Sequence, residues 1–410
     1  MTTQTAGPGG PASAPTPVLV RGVGLIVALC FGIAALEGYD IQAVGVAAPK
    51  LAPGLHLSHG QMGWVFSASM VGLVIGAVFG GWLADRIGRK PVLIGSILTF
   101  GLFSLATLLV FDDHSLLAAR FATGLGLGGA MPNLIAVAAE ISRPERRTGT
   151  ASLMFCGMPF GGAIAAALAG WALGGMGWKL IFLVGGIAPI VLLPLVVLVL
   201  PETRPAASEH APPKGLLAAL FAEGRAVTTL LLWVSYGLTL VIMYLLLNWL
   251  PTLALSKGLS AHEAPQVSLA FNLTSIVGAL ILGQLVDWRG VRWPMTCAYA
   301  GLVAVMIALA AASGYGPVMA LSGLAGFLVI GAQYALYGLA PSFYPVASRA
   351  GAAGSAVAVG RLGSIAGPVL AGLLLAGGAS AGRVVGAMVP VALVAGLAVL
   401  LLTFVGRREA

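Results

Sequence analysis

Four ionisable side chains stand inside stretches that otherwise carry no charge: Glu37, Asp40, Arg120 and Arg361. A charge near the centre of a bilayer costs at least about 2.5–3.5 kcal/mol on insertion scales, so each of these calls for a partner or a task. Glu37 and Asp40 are three residues apart, which on a helix puts both carboxylates on one face. Two acids and two arginines cancel when all are ionised. An organic carboxylate entering such a site adds a negative charge, and protonation of one acid removes one. The chemistry within reach is coupled binding of a proton and an anion, driven by avoidance of uncompensated charge in a low-dielectric interior. Asp40 is the favoured proton carrier, with Glu37 as the alternate. Arg361 is the favoured carboxylate partner because a guanidinium presents a fork of donors that suits a carboxylate. Arg120 can exchange these roles, and structural ion pairing is the plainer alternative for all four.

The elements that hold these residues follow from composition. The chain has 410 residues, 59% hydrophobic and only 8% charged, where a soluble protein carries about 25% charged residues. Its mean hydropathy is +1.00. A soluble enzyme, a nucleic-acid binder and a disordered chain are all excluded. Chargeless runs from Lys90 to Asp112, Lys179 to Glu202, Glu263 to Asp287 and Arg383 to Arg407 each fit one helix of ~20 residues crossing ~30 Å of hydrocarbon. SGYGP, from Ser313 to Pro317, divides a longer run. The pattern predicts an all-α membrane protein of about twelve transmembrane helices, beginning near residues 22, 61, 91, 116, 148, 180, 226, 265, 293, 318, 350 and 384. On these spans Asp40 and Arg120 lie at similar depths, ~12 and ~8 Å from one end, and Arg361 lies near mid-membrane at ~16 Å.

Lys and Arg set the orientation. Fifteen fall in one set of loops and four in the other, so the rich set and both termini are expected in the cytoplasm. Those loops, facing an anionic leaflet, account for the net charge of +8 better than nucleic acid does. The organisation expected is a disordered cytoplasmic tail (1–20), a six-helix half (21–200), a cytoplasmic linker (201–225), a second six-helix half (226–406) and a short tail (407–410). The Pro-, Gly- and Ser-rich start lacks a signal-peptide pattern.

A shift of 202 residues superposes the two halves. Gly76, Ala77, Gly81, Leu83, Asp85 and Gly88 fall on Gly278, Ala279, Gly283, Leu285, Asp287 and Gly290; Arg147, Gly149, Gly161 and Gly170 fall on Arg349, Gly351, Gly363 and Gly372. Six spans onto six makes the halves parallel repeats. Glu37, Asp40 and Arg120 fall on Thr239, Ile242 and Ser322, so the scaffold repeats while these charges do not. Glycines at four-residue spacing inside spans read as close helix packing. The run GLGLGG, Gly124 to Gly129, belongs with them, since no strand precedes it.

Cys30, Cys156 and Cys297 form no CxxC pair, and His56 and His59 have no third ligand nearby, so no metal site and no cofactor other than the proton is expected. No His, Cys or carboxylate cluster has catalytic spacing, so the chain is not expected to be an enzyme.

The stretch GWLADRIGRK, Gly81 to Lys90, resembles the signature loop of the major facilitator superfamily, and GQLVDWRG from Gly283 is a weaker second copy. EGYDIQAVGVAAPKL (Glu37 to Leu51), RFATGLGLGGAMPN (Arg120 to Asn133) and AVAVGRLGSIAGPVLAG (Ala356 to Gly372) are similar to the aromatic acid:proton symporters within it, and the whole chain resembles the importers of 3-(3-hydroxyphenyl)propionate. Most of that group carry Asp where Glu37 stands, and the second signature lacks the basic pair. The resemblance implies the major facilitator fold and proton-coupled uptake of an aromatic carboxylate, a phenylpropionate or hydroxybenzoate, across a bacterial inner membrane by a monomer. It also implies a cytoplasmic gate of charge pairs around Gly81, Asp85, Arg86, Gly88, Arg89, Glu140, Arg147, Asp287 and Arg349; basic loops that merely set topology are the other reading. An aromatic ring needs apolar walls with a few polar groups, for which Tyr39, Gln42, Tyr244, Asn248, Asn272, Gln333 and Tyr337 are candidates. Helix-to-helix bonding is the alternative for each, and Trp249, near a span end, suits an interface belt. GMPFGGAIAAALAG, Gly157 to Gly170, resembles a glycine-proline motif of antiporters, so a proton-driven exporter of a small organic anion or drug is the competing function.

Overall fold

A computed structural model of the chain describes residues 23–141, 147–172, 177–202, 220–222, 224–345 and 349–405. The terminal tails 1–20 and 407–410 and most of the linker 201–225 lie outside the described residues. Within them the chain forms α1 (Val23–Gly54), α2 (His59–Ile87), α3 (Arg89–Ala106), α4 (Asp113–Ile141), α5 (Arg147–Ala172) and α6 (Lys179–Val199) in the first half. The second half contains α7 (Ala226–Ser256), α8 (Glu263–Arg289), α9 (Arg292–Ala311), α10 (Tyr315–Leu339), α11 (Arg349–Ala376), α12 (Ala381–Gly386) and α13 (Met388–Val405). The last two are one span interrupted at Ala387. Counted so, eleven spans among the described residues are long and apolar enough to cross a membrane, and α4, with Arg120 in its interior, is the remaining long helix. Each helix starts within a few residues of the position expected from the charge pattern. The largest departure is at the end of α1, which continues past Lys50. A helix of 32 residues is ~48 Å long, longer than the hydrocarbon it crosses, so Lys50 stays exposed on a helical extension.

Outward faces of the bundle leave Leu102, Trp171 and Leu198 exposed. In water such surfaces aggregate; against acyl chains they cost nothing.

The repeat found in the sequence is a repeat of contacts. A Cβ on Gly76 would press into the main chain of Leu125, and one on Gly278 into that of Phe327; Gly124 meets Ser69 as Gly326 meets Phe271. Gly161 lies on Ala35 as Gly363 lies on Gly237. Every one of these pairs maps onto its counterpart by the same shift on both partners. Glycine lets the backbones of α2 and α4, α8 and α10, α1 and α5, and α7 and α11 touch, which is how helices gain contact in lipid. The two signature loops turn alike, on Gly88 at φ 96° and Gly290 at φ 76°, a backbone region that side chains with a Cβ disfavour.

Between the halves, the contacts cluster at the end away from the Arg- and Lys-rich loops. Ser67 Oγ donates to the Ile365 carbonyl at 2.7 Å, the α1 backbone at Gly45 abuts Asn248, and the His262 ring lies 3.1 Å from the Gly170 carbonyl. Nearer the basic loops, the halves meet through Phe155 of α5 with Tyr334 and Tyr337 of α10.

Candidate functional site

Asp40 of α1 pairs with Arg120 of α4, and Glu37, one turn earlier on α1, lies within electrostatic reach of Arg361 on α11. Arg120 Nη2 donates to Asp40 Oδ2 at 2.8 Å and to the Asp40 carbonyl at 3.1 Å. Its Nε donates to Ser69 Oγ at 3.3 Å. Ser104 Oγ, from α3, donates to the other carboxylate oxygen of Asp40 at 2.7 Å. Asp40 is therefore held by donors on both oxygens, with no exposed surface on it or on Arg120. The Phe182 ring lies 5.7 Å from the Arg120 guanidinium and closes that side. Arg120 Nη1 finds no partner among the described residues, but both carboxylate oxygens of Asp40 are bonded, and a pair so enclosed suits two ionised groups.

Glu37 differs. It is buried, and its Oε1 has no hydrogen-bond partner among the described residues. Its electrostatic neighbour is Arg361 of the other half. Arg361 Nη1 donates to the Tyr244 hydroxyl at 3.0 Å. Arg361 keeps accessible surface while reaching Tyr244 of its own half and the charge of Glu37 in the other, so that surface lies in the space between the halves. Tyr334 and Tyr337 line that space in the same way and lie within electrostatic range of both Arg361 and Tyr244. Tyr337 stacks on Phe155 at 6.1 Å and packs edge-on to Tyr236 at 5.4 Å. The result is a guanidinium with free donors beside a wall of four aromatic rings, as an aromatic carboxylate requires.

Several candidate pocket residues face elsewhere. Tyr39 donates from its hydroxyl to the Ile181 carbonyl at 2.8 Å, fastening α1 to α6. Asn248 donates to the Tyr244 carbonyl of its own helix at 2.8 Å and is buried against α1. Gln42 and Asn272 exchange two amide hydrogen bonds, at 2.9 and 2.7 Å, across the two halves. Trp249 is not at a lipid interface: it is 1% exposed and donates from Nε1 to the Pro368 carbonyl at 2.9 Å. A span-end tryptophan reads as an interface anchor from sequence because the neighbouring helix that covers it is invisible there. Gln333 is buried beside Tyr337, and neither amide atom completes a hydrogen bond.

Asp85 and Asp287 are exposed, and neither is ion-paired among the described residues. Arg86 lies 3.9 Å over the Trp82 ring, and Arg349 Nε donates to the Tyr344 carbonyl at 3.3 Å. Arg89 is half-buried, and Gly81 has open space around it. Glu140 and Arg147 lie on α4 and α5, but their side chains are outside the described residues.

Sequence reasoning missed Ser69, Ser104, Phe155 and Tyr236. Ser and Phe are ordinary in membrane helices, and no spacing marks these four.

Residues 30–354 match the family model described as Major Facilitator Superfamily. The 3-(3-hydroxy-phenyl)propionate transporter of Escherichia coli (strain K12) is 46% identical over 92% of this chain and 93% of its own length. The gallate transporter of Pseudomonas putida is 35% identical over 86% and 85%. Among solved structures, a bacterial homologue of the human lysosomal transporter Spinster, inward-facing and occupied, superposes with a TM-score of 0.74 at 16% identity, covering 94% and 96% of the two chains.

Proposed function

The chain belongs to the major facilitator superfamily, and on that premise we propose that this transporter takes up an aromatic carboxylate of the hydroxyphenylpropionate class together with a proton, across a bacterial cytoplasmic membrane. The relatives' substrates are ring-bearing acids. The basic loops are assigned to the cytoplasm by their charge, which puts the contacts of Ser67, Gly45 and His262 between the halves on the outer side.

The observation that carries the proposal is the unequal treatment of the two acids. Asp40 is bonded on both oxygens, whereas Glu37 has a buried oxygen with no donor. A bare carboxylate there is costly, and a protonated carboxyl is not. We therefore assign the proton to Glu37 rather than to Asp40, the acid favoured on sequence grounds. With Glu37 neutral, Arg361 has no counter-charge among the described residues, only the Tyr244 hydroxyl as an acceptor, and a substrate carboxylate supplies one. Deprotonation of Glu37 restores a partner to Arg361 and displaces the substrate. Proton and acid thus bind and leave together.

The test is uptake of labelled 3-(3-hydroxyphenyl)propionate into proteoliposomes under an inward proton gradient. Accumulation should collapse on addition of a protonophore. Concentrative uptake that persists without any proton gradient overturns the coupling, and no uptake of any aromatic acid overturns the substrate class.

A further inference from the structure

Gln333 is fully buried on α10, yet neither its Oε1 nor its Nε2 finds a partner among the described residues. Buried amides are normally satisfied, and an orphaned one needs an explanation. It cannot be dismissed as a surface rotamer, because no solvent reaches it. Its nearest polar neighbour is the Tyr337 hydroxyl, one turn along the same helix and close enough to interact with the amide, but without the geometry of a hydrogen bond. Tyr337 is the centre of the ring cluster: it stacks on Phe155, meets Tyr236 edge-on and leans on Tyr334 at 6.1 Å. The Tyr334 hydroxyl is itself occupied, donating to the Phe155 carbonyl at 3.1 Å. Arg361 and Tyr244 lie within electrostatic reach of Tyr337. An anchoring cation, aromatic walls and an amide with unused donors and acceptor therefore share one region.

We propose that Gln333 is the residue that reads a phenolic hydroxyl on the ring of the transported acid. This rests on the reading that the substrate is an aromatic carboxylate held at Arg361. With the carboxylate there, the ring lies against Tyr334, Tyr337 and Phe155, and a hydroxyl on the ring reaches toward Gln333. The amide suits a phenol because it offers both an acceptor for the O–H and a donor to the oxygen. An unsubstituted ring leaves the amide orphaned as it is now; a hydroxylated ring satisfies it. Selectivity then arises from the unmet hydrogen bonds.

The experiment compares inhibition of uptake by a 3-arylpropionate with and without a meta-hydroxyl group. In the unaltered protein the hydroxylated acid should inhibit at about tenfold lower concentration, the effect of one well-made hydrogen bond in a buried site. In Gln333→Met, which keeps the volume and removes the polar atoms, the two acids should inhibit at the same concentration, a ratio read independently of any change in overall uptake. Equal inhibition by the two acids in the unaltered protein overturns the proposal without any variant. So does a Gln333→Met protein that retains the preference, or one that loses both acids in parallel, as a purely structural role predicts. Failure of both acids to be carried by the unaltered protein removes instead the transport reading beneath it.

Discussion

Arg120 Nη2 lies 2.8 Å from Asp40 Oδ2, and neither side chain has any exposed surface. Eighty positions apart in the chain, the two form the one fully enclosed ion pair among the described residues. Removing one member leaves the other charged and unpaired, at a cost of about 3–5 kcal/mol. Arg120→Leu should therefore lower the melting temperature in detergent by several degrees and abolish uptake. The double variant Asp40→Asn/Arg120→Gln should recover most of the stability without recovering transport. Thermal unfolding of the three variants decides; an Arg120→Leu protein as stable as the parent would remove the structural role of the pair.

Glu37→Gln should behave differently. It is nearly isosteric, and the buried oxygen it alters has no bond to lose. The variant should keep the parent's melting temperature, lose gradient-driven accumulation, and retain exchange of labelled for unlabelled substrate across proteoliposomes. Undiminished uphill accumulation would move the proton away from Glu37.

The reciprocal amide pair of Gln42 and Asn272 ties the halves at the end away from the basic loops. Two neutral hydrogen bonds of about 0.5–1.5 kcal/mol each are enough to bias which end of the transporter is open. Asn272→Leu should shift the population toward opening at that end by tenfold or more. Ser67 is 1% exposed within the same seam. A cysteine at that position, in a background lacking Cys30, Cys156 and Cys297, should react faster with a membrane-impermeant maleimide when Asn272→Leu is added. Equal reaction rates would mean that the amides do not hold the seam.

Gly76 and Gly81 are five residues apart and should respond oppositely to a methyl group. At Gly76 it would enter the backbone of Leu125, whereas at Gly81 it meets nothing within 4 Å. Gly76→Ala should destabilise by about 1–3 kcal/mol. Gly81→Ala should be neutral or gain up to about 1 kcal/mol from helix propensity. Melting temperatures read both, and a destabilised Gly81→Ala would show that this glycine packs against something in another conformation.

The span starts, the halves and their shift of 202 residues were legible in the sequence because hydrocarbon tolerates almost no charge and close helix packing demands glycine. Both constraints act on residue type at a position, which a sequence displays directly. The four buried charges were legible for the same reason: Glu37, Asp40, Arg120 and Arg361 stand out against an apolar background.

Which acid meets which arginine was decided only by the tertiary structure. A membrane helix is apolar toward lipid and apolar toward its neighbours, so no amphipathic stripe tells the two faces apart. Nothing in the sequence therefore said that Ser104 would turn to Asp40, that Tyr39 would fasten α1 to α6, or that Phe155 would cross to the rings of α10. The depth of a residue follows from counting along its own helix. Its partner follows from how that helix is rotated and tilted against five others, and only packing fixes that rotation. Thus the sequence determined that four charges stand inside the membrane-spanning helices, and the folded bundle determined that Asp40 is a satisfied carboxylate and Glu37 an unsatisfied one.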